Sequence, residues 1–179
     1  DKYCQGFYNV SKTMIEVLDN YLPEEHFVPI YDYFMGNESE WHWMDGVVTV
    51  GDGFTQFIDV IYDGFHPNSR GFDKLWHVFK QEKMVALNRI KANLGLKTNE
   101  LIIYDHGFHY DVRGSDQQIS SITTGILYIN TNNGYTLFEN GDKVSSVRNR
   151  FLKFPANTKH TGTNCTDQDK RVLINFNYV

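Results

Sequence analysis

Residues 119–130 read ISSITTGILYIN, residues 150–155 read RFLKFP and residues 171–179 read RVLINFNYV. Their short runs of apolar, aromatic and β-branched residues, with a period of two, are the signature of strands and decide the fold. LIIYDHGFHYDV at 101–112, GYTLFENG at 134–141 and KVSSV at 143–147 continue the pattern, each run broken by Asn, Asp, Gly or Pro. Residues 131–134 (TNNG) and 139–142 (ENGD) carry the Asn-Gly pair favoured in tight hairpins. Six or seven such strands with polar turns predict an antiparallel barrel or jelly roll, with any helices packed outside it. The expected class is α+β, mostly β.

Upstream of Gly95 the apolar spacing turns helical. Ser11 can cap a helix carrying Met14, Ile15, Leu18, Tyr21 and Leu22 at steps of three and four. Pro23-Glu24-Glu25 reads as the first turn of a second helix, with its acids at the positive end. Trp41-His42-Trp43 followed by Val47-Val48-Thr49-Val50-Gly51 reads as strand and turn. The strongest helix runs from Gly71 to Leu94 on the stripe Phe72, Leu75, Trp76, Phe79, Leu87, Ile90 and Leu94, with Gly95 to end it. With no internal repeat or linker, one domain is expected over 1–179: mainly helical support in 1–95 and the main strands in 96–179.

Composition narrows the function classes. The chain has 179 residues, a net charge of −5 and 41% apolar residues, which excludes disorder, collagen and coiled coil. An acidic balance argues against nucleic-acid backbone or anionic membrane as a partner. Cys4 and Cys165 stand far apart with no CxxC spacing, which excludes a cysteine-type zinc site and favours two free thiols. The opening DKYCQGFYNV has neither a basic nor an apolar leader region, so a soluble, cytoplasmic protein is expected.

Of seven histidines, three fall among the strands: His106, His109 and His160. On a strand, His109 and Asp111 point to one face. His160 follows Asp111 by 49 residues, just after the strand that ends in Phe154-Pro155. Two imidazoles and one carboxylate on adjacent strands make the facial triad that binds non-haem Fe(II) and leaves positions open. The bare His-x-Asp pair is common by chance, and His106, at odd spacing, would face away in a supporting role. His42 and His77 read more simply as core or surface residues. Lys170-Arg171 opens the last strand, and Arg171 lies eleven residues beyond His160. A guanidinium there could pair bidentately with a carboxylate and stay charged when buried, although an exposed basic pair is the ordinary reading. Asn175 and Asn177 share parity with Arg171, which permits inward-facing polar roles.

Taken together, HYD at 109–111, LYINTNNGYTLFENG at 127–141, RFLKFPANTKHTGT at 150–163 and KRVLINFNY at 170–178 resemble the Fe(II)/2-oxoglutarate-dependent oxygenases. The resemblance is to the prolyl 4-hydroxylase-like branch, especially compact phage-encoded members, and RIKANL and DHGFHYD add to it. It implies a double-stranded β-helix (a jelly roll, cupin-like) with N-terminal flanking helices. It further implies a dioxygenase that hydroxylates a C–H bond of a peptidyl proline or small molecule, releasing succinate and CO2. His109, Asp111 and His160 would be the iron ligands. Arg171, with Lys170 as substitute, would bind the distal carboxylate of 2-oxoglutarate, supported by Tyr128 or Tyr104. The cofactors implied are Fe(II), 2-oxoglutarate and O2, with ascorbate as reductant. An acid at Asp111 departs from the related halogenating branch, which has a small residue there. A non-catalytic β-barrel that binds a metal or ligand is the rival reading; a cupin metalloenzyme lacks its HxH…E…H pattern here.

Overall fold

A computed structural model describes residues 15–47, 49–104 and 107–179. In chain order the elements are β1 (Glu16–Leu18), α1 (Glu24–Met35), β2 (His42–Met44), β3 (Gln56–Asp63), β4 (His66–Pro67), α2 (Gly71–Lys74), α3 (Trp76–Glu82), β5 (Leu87–Leu96), α4 (Asp116–Ile119), β6 (Thr123–Tyr128), β7 (Tyr135–Phe138), β8 (Lys143–Ser145), β9 (Arg150–Pro155), β10 (His160–Gly162) and β11 (Lys170–Tyr178). A large antiparallel sheet runs β1-β9-β6-β11-β5-β3-β2, with β4 paired to β3. A small sheet, β10-β7-β8, faces it, and bridges from Ile103 to Thr163 and from His109 to His160 lay the preceding chain alongside β10. This is the jelly-roll arrangement that the strand pattern predicts.

Alternation along the central strands makes two cores. Val172, Ile174 and Phe176 of β11 and Ile90, Ala92 and Leu94 of β5 bury against Phe27, Ile30 and Phe34 of α1 and Leu75 and Val78 near α3. The opposite face turns Ile126, Tyr128, Leu152, Phe154 and Leu173 toward Phe138 and Val144 of the small sheet. Polar residues share that inner face, and they become the site described below. Glu82 ties α3 to the sheet by accepting hydrogen bonds from the hydroxyls of Tyr21 (3.1 Å) and Tyr178 (2.7 Å).

Close packing also governs small residues. A Cβ on Gly125 of β6 would sit 2.5 Å from Cζ of Phe151. That ring is fully buried and stacked on Tyr21 at 4.4 Å, so it has no room to retreat. Gly125→Ala is expected to cost about 1–3 kcal/mol by overpacking, read as a lowered denaturation midpoint at unchanged m-value.

Four expectations are corrected. Residues 11–14 of the first helix lie outside the described residues, and the chain that follows is strand β1, which covers the edge of β9. The helix expected over Gly71–Leu94 stops at Lys83, which is left-handed at φ +53°, and residues 87–96 form β5 between β11 and β3. The spacing of Leu87, Ile90 and Leu94 fits a helix, but the buried series is Ile90, Ala92, Leu94, which is a strand with a small residue in the middle. With the unanticipated β3, the first 95 residues therefore supply long strands to the large sheet as well as helices. Finally, residues 131–134 form no tight hairpin: β6 belongs to the large sheet and β7 to the small one, so this segment is a crossover.

Other expectations hold. Glu24 and Glu25 occupy the first turn of α1, and residues 139–142 do turn β7 into β8, with Gly141 at φ +91°. Cys165 is a buried free thiol, whereas Cys4 lies outside the described residues. Among the described residues no helix is long and apolar enough to cross a membrane.

Candidate active site

His109 and His160 form an antiparallel bridge, each backbone N–H donating to the other's carbonyl at 3.0 and 3.2 Å. Asp111, two residues on, returns to the same side. His109 Nε2 lies 3.6 Å from Asp111 Oδ1, and His160 Nε2 lies 3.6 Å from Asp111 Oδ2. One ligand atom from each residue falls within 4.8 Å of the others, a cluster that could hold a metal ion. Each imidazole places Nδ1 against a carbonyl, Gly107 for His109 (3.3 Å) and Thr158 for His160 (3.2 Å). A proton on Nδ1 then leaves the Nε2 lone pairs facing the carboxylate, the tautomer metal binding needs. Phe154, edge-on at 4.9 Å, packs against the His160 ring.

Burial alone would raise the Asp111 carboxyl, but the two imidazoles beside it hold it well below the usual carboxylate range. Burial opposes charge on His160 too, yet the Asp111 carboxylate outweighs it and draws its pKa upward. The three side chains thus form a preassembled anion between two nitrogen bases, a donor set that fits a divalent ion of intermediate softness.

Asn175 of β11 donates from Nδ2 to Asp111 Oδ2 at 3.0 Å. Its parity with Arg171 thus becomes a hydrogen bond that aims the carboxylate. Asn175→Ala is expected to weaken metal binding about 10- to 100-fold, as losses from the outer shell do, in an anaerobic Fe(II) titration with the circular dichroism unchanged. Asn177, also inward, donates instead to Thr124 Oγ1.

Arg171 is 6% exposed and lines the same open cleft of about 500 Å³ as the three clustered residues. Its Nε donates to Ser146 Oγ at 2.8 Å, whereas Nη2 is buried with no partner. A buried guanidinium nitrogen left unpaired beside a cleft is a place made for an anion. Gly134 permits this pose, because a Cβ there would meet Arg171 Cδ at 2.6 Å. Lys170, the substitute cation, turns away and donates to the Met35 carbonyl at 2.7 Å.

Tyr104 lines the cleft, and its hydroxyl pKa is raised by burial while Arg171 opposes the rise. Tyr128 lies beneath the wall, fully buried, its hydroxyl 2.7 Å from Thr136 Oγ1, and Thr136 faces the cleft. His106 lies outside the described residues; His42 is exposed on β2 and His77 stacks on His26 at 3.6 Å. Among the cleft residues that escaped the sequence reading are Gln56 of β3 and Lys91 and Asn93 of β5. For Lys91 and Asn93 the signal was the alternation of polar residues 89, 91 and 93 against Ile90, Ala92 and Leu94, visible only once β5 is read as a strand.

No family model matches the sequence, and no curated protein compared with it does either. Solved structures do match. A Pseudomonas putida prolyl-4-hydroxylase superposes with TM-score 0.58 at 11% identity, covering 93% of each chain. A Trichoplax adhaerens prolyl hydroxylase, in complex with a hypoxia inducible factor peptide fragment, gives 0.60 at 14% identity over 92% of this chain and 82% of that one. HygX of Streptomyces hygroscopicus, with nickel and 2-oxoglutarate bound, gives 0.60 at 11% identity over 93% and 82%. At these identities the likeness is one of fold. The chain shares its double-stranded β-helix fold with these structures, which include prolyl hydroxylases and 2-oxoglutarate- and Fe(II)-dependent oxygenases.

Proposed function

We propose that this protein is an Fe(II)- and 2-oxoglutarate-dependent dioxygenase that hydroxylates a C–H bond of a peptidyl proline or small molecule, with release of succinate and CO2. The observation that carries this reading is a pairing within one cleft: a cluster of His109, Asp111 and His160, and a buried Arg171 with an unpaired Nη2. A site that holds only a structural metal has no use for that second feature. An enzyme with a dicarboxylate cosubstrate needs both.

In this reading His109, Asp111 and His160 hold the metal, with Asn175 fixing the carboxylate. Bound Fe(II) supplies the redox chemistry that couples 2-oxoglutarate decarboxylation and O2 reduction to substrate oxidation, with ascorbate as a reductant that restores it. Arg171 pairs with the distal carboxylate of 2-oxoglutarate, Tyr104 closes over that end, and Tyr128 acts through the Thr136 hydroxyl. Leu173 and Ile126 give the cleft apolar walls that limit water. No side chain must move a proton in this chemistry. A peptidyl proline as substrate is supported by the prolyl hydroxylases of the same fold, one of them with a bound peptide fragment.

The test is succinate formation from 2-oxoglutarate in air. Parent protein with Fe(II) and ascorbate should turn over slowly even without substrate, and omission of Fe(II) should stop it. Tight 2-oxoglutarate binding with no succinate under any condition would favour the non-catalytic binding module instead.

A further inference from the structure

Resting on the reading above, we infer that Lys91 is the anchor for a carboxylate on the substrate, so that the preferred substrate is a carboxylate-bearing small molecule rather than the interior of a peptide. Lys91 sits at the centre of β5, directly across from Asn175, the residue that aims Asp111. It lines the cleft together with the three clustered residues and Arg171. Among the described residues its ammonium forms no hydrogen bond and no close ion pair; the opposite charge acting on it is that of Asp111. Burial pushes its pKa down, only partly offset by Asp111 and worsened by Arg89.

Arg89 lies two residues earlier on the same face of β5, across from Asn177, with a buried Nε that has no partner. Two cations on one half-buried sheet face, with no carboxylate of their own, are costly unless an anion joins them. Asp111 does not fill that role: in this reading its carboxylate is committed to the metal, and Oδ2 already accepts from Asn175.

Register separates this position from the cosubstrate's. Arg171 pairs across from Gly95 and Lys91 across from Asn175, so the two cations lie four residues apart along β5, on either side of the level of Asn93 and Leu173. Charge counting agrees. A divalent ion offset by Asp111, together with Arg171 and Lys91, exceeds by one positive charge what a dicarboxylate neutralises, and Arg89 adds another. A substrate carboxylate would answer that excess.

The experiment loads the parent and Lys91→Met proteins anaerobically with Fe(II) and 2-oxoglutarate, then titrates each with free L-amino acids and short aliphatic carboxylic acids, each beside its carboxamide. An N-acetylated, C-amidated proline peptide is included, and melting temperature and the visible band of the loaded protein are followed. At least one acid should bind the parent ten or more times tighter than its amide, roughly the worth of one charge-assisted pair. Lys91→Met should abolish that preference while binding 2-oxoglutarate nearly as the parent does; Lys91→Gln repeats the test should the Met variant misfold. The inference is overturned if a 2-oxoglutarate-loaded parent treats every acid and amide alike, if the blocked peptide binds best, or if the preference survives in Lys91→Met. Loss of 2-oxoglutarate binding in Lys91→Met would overturn it too, by giving Lys91 to the cosubstrate. A parent that binds neither Fe(II) nor 2-oxoglutarate would instead remove the dioxygenase reading on which the inference stands.

Discussion

Asp111→Ala should abolish turnover and weaken Fe(II) binding by more than about 100-fold, since changes one shell further out already cost about 10- to 100-fold. The carboxylate stands 3.6 Å from the Nε2 atoms of both histidines, so its removal takes away the sole anion of the cluster. Two histidines on one antiparallel bridge remain, and two neutral donors hold a divalent ion poorly. The backbone hydrogen bonds between His109 and His160 do not involve Asp111, so the fold should persist. The check is anaerobic Fe(II) titration beside succinate assay and circular dichroism. Undiminished Fe(II) affinity in the variant would show that the metal, if bound, is held elsewhere.

Arg171→Met should cost 2-oxoglutarate binding about 2–5 kcal/mol, the range for truncating one partner of a buried charge pair, which is about 30- to 5,000-fold in Kd. The stability of the free protein should move the other way. Arg171 is buried with Nη2 unpaired, and burial itself lowers its pKa, so a cation of this kind is a burden until an anion arrives. Replacing it with an apolar side chain of similar length should leave the melting temperature unchanged or raise it. Isothermal titration with 2-oxoglutarate, beside thermal denaturation without it, separates the two effects. A destabilised variant with normal 2-oxoglutarate affinity would make Arg171 a structural residue.

Most of the strand half was legible from its alternation. The exception is the run at 101–112, whose described residues form no strand and pair alongside the small sheet only through bridges at Ile103 and His109. RVLINFNYV alternates between Val172, Ile174 and Phe176 toward the helices and Arg171, Leu173 and Asn175 toward the cleft, and its spacing could be read from either set. His109 and Asp111 share a face by the same parity, and the pairing register of β10 then brings His160 opposite. The misreading of residues 87–94 has an equally local cause. Ala92 is small enough to drop out of an apolar count, and the remaining Leu87, Ile90 and Leu94 mimic helical steps. Only pairing with β11 and β3, which is non-local, settles that segment as strand. That one error hid Lys91 and Asn93, because residues on the polar side of a supposed surface helix carry no hint of a cleft. Likewise, Asn-Gly marks a turn in residues 131–134 but cannot say whether the next strand returns to the same sheet or crosses to the other.

One measurement bears most directly on the dioxygenase reading. Fe(II) and then 2-oxoglutarate are added anaerobically to the parent, Asp111→Ala and Arg171→Met, and the weak visible absorption of the chelated keto acid is recorded. The parent should develop the band, Asp111→Ala should show none, and Arg171→Met should need far more 2-oxoglutarate to reach it. No band in the parent, with metal taken up equally by all three proteins, would contradict a 2-oxoglutarate-dependent oxygenase and leave a metal-binding β-barrel in its place.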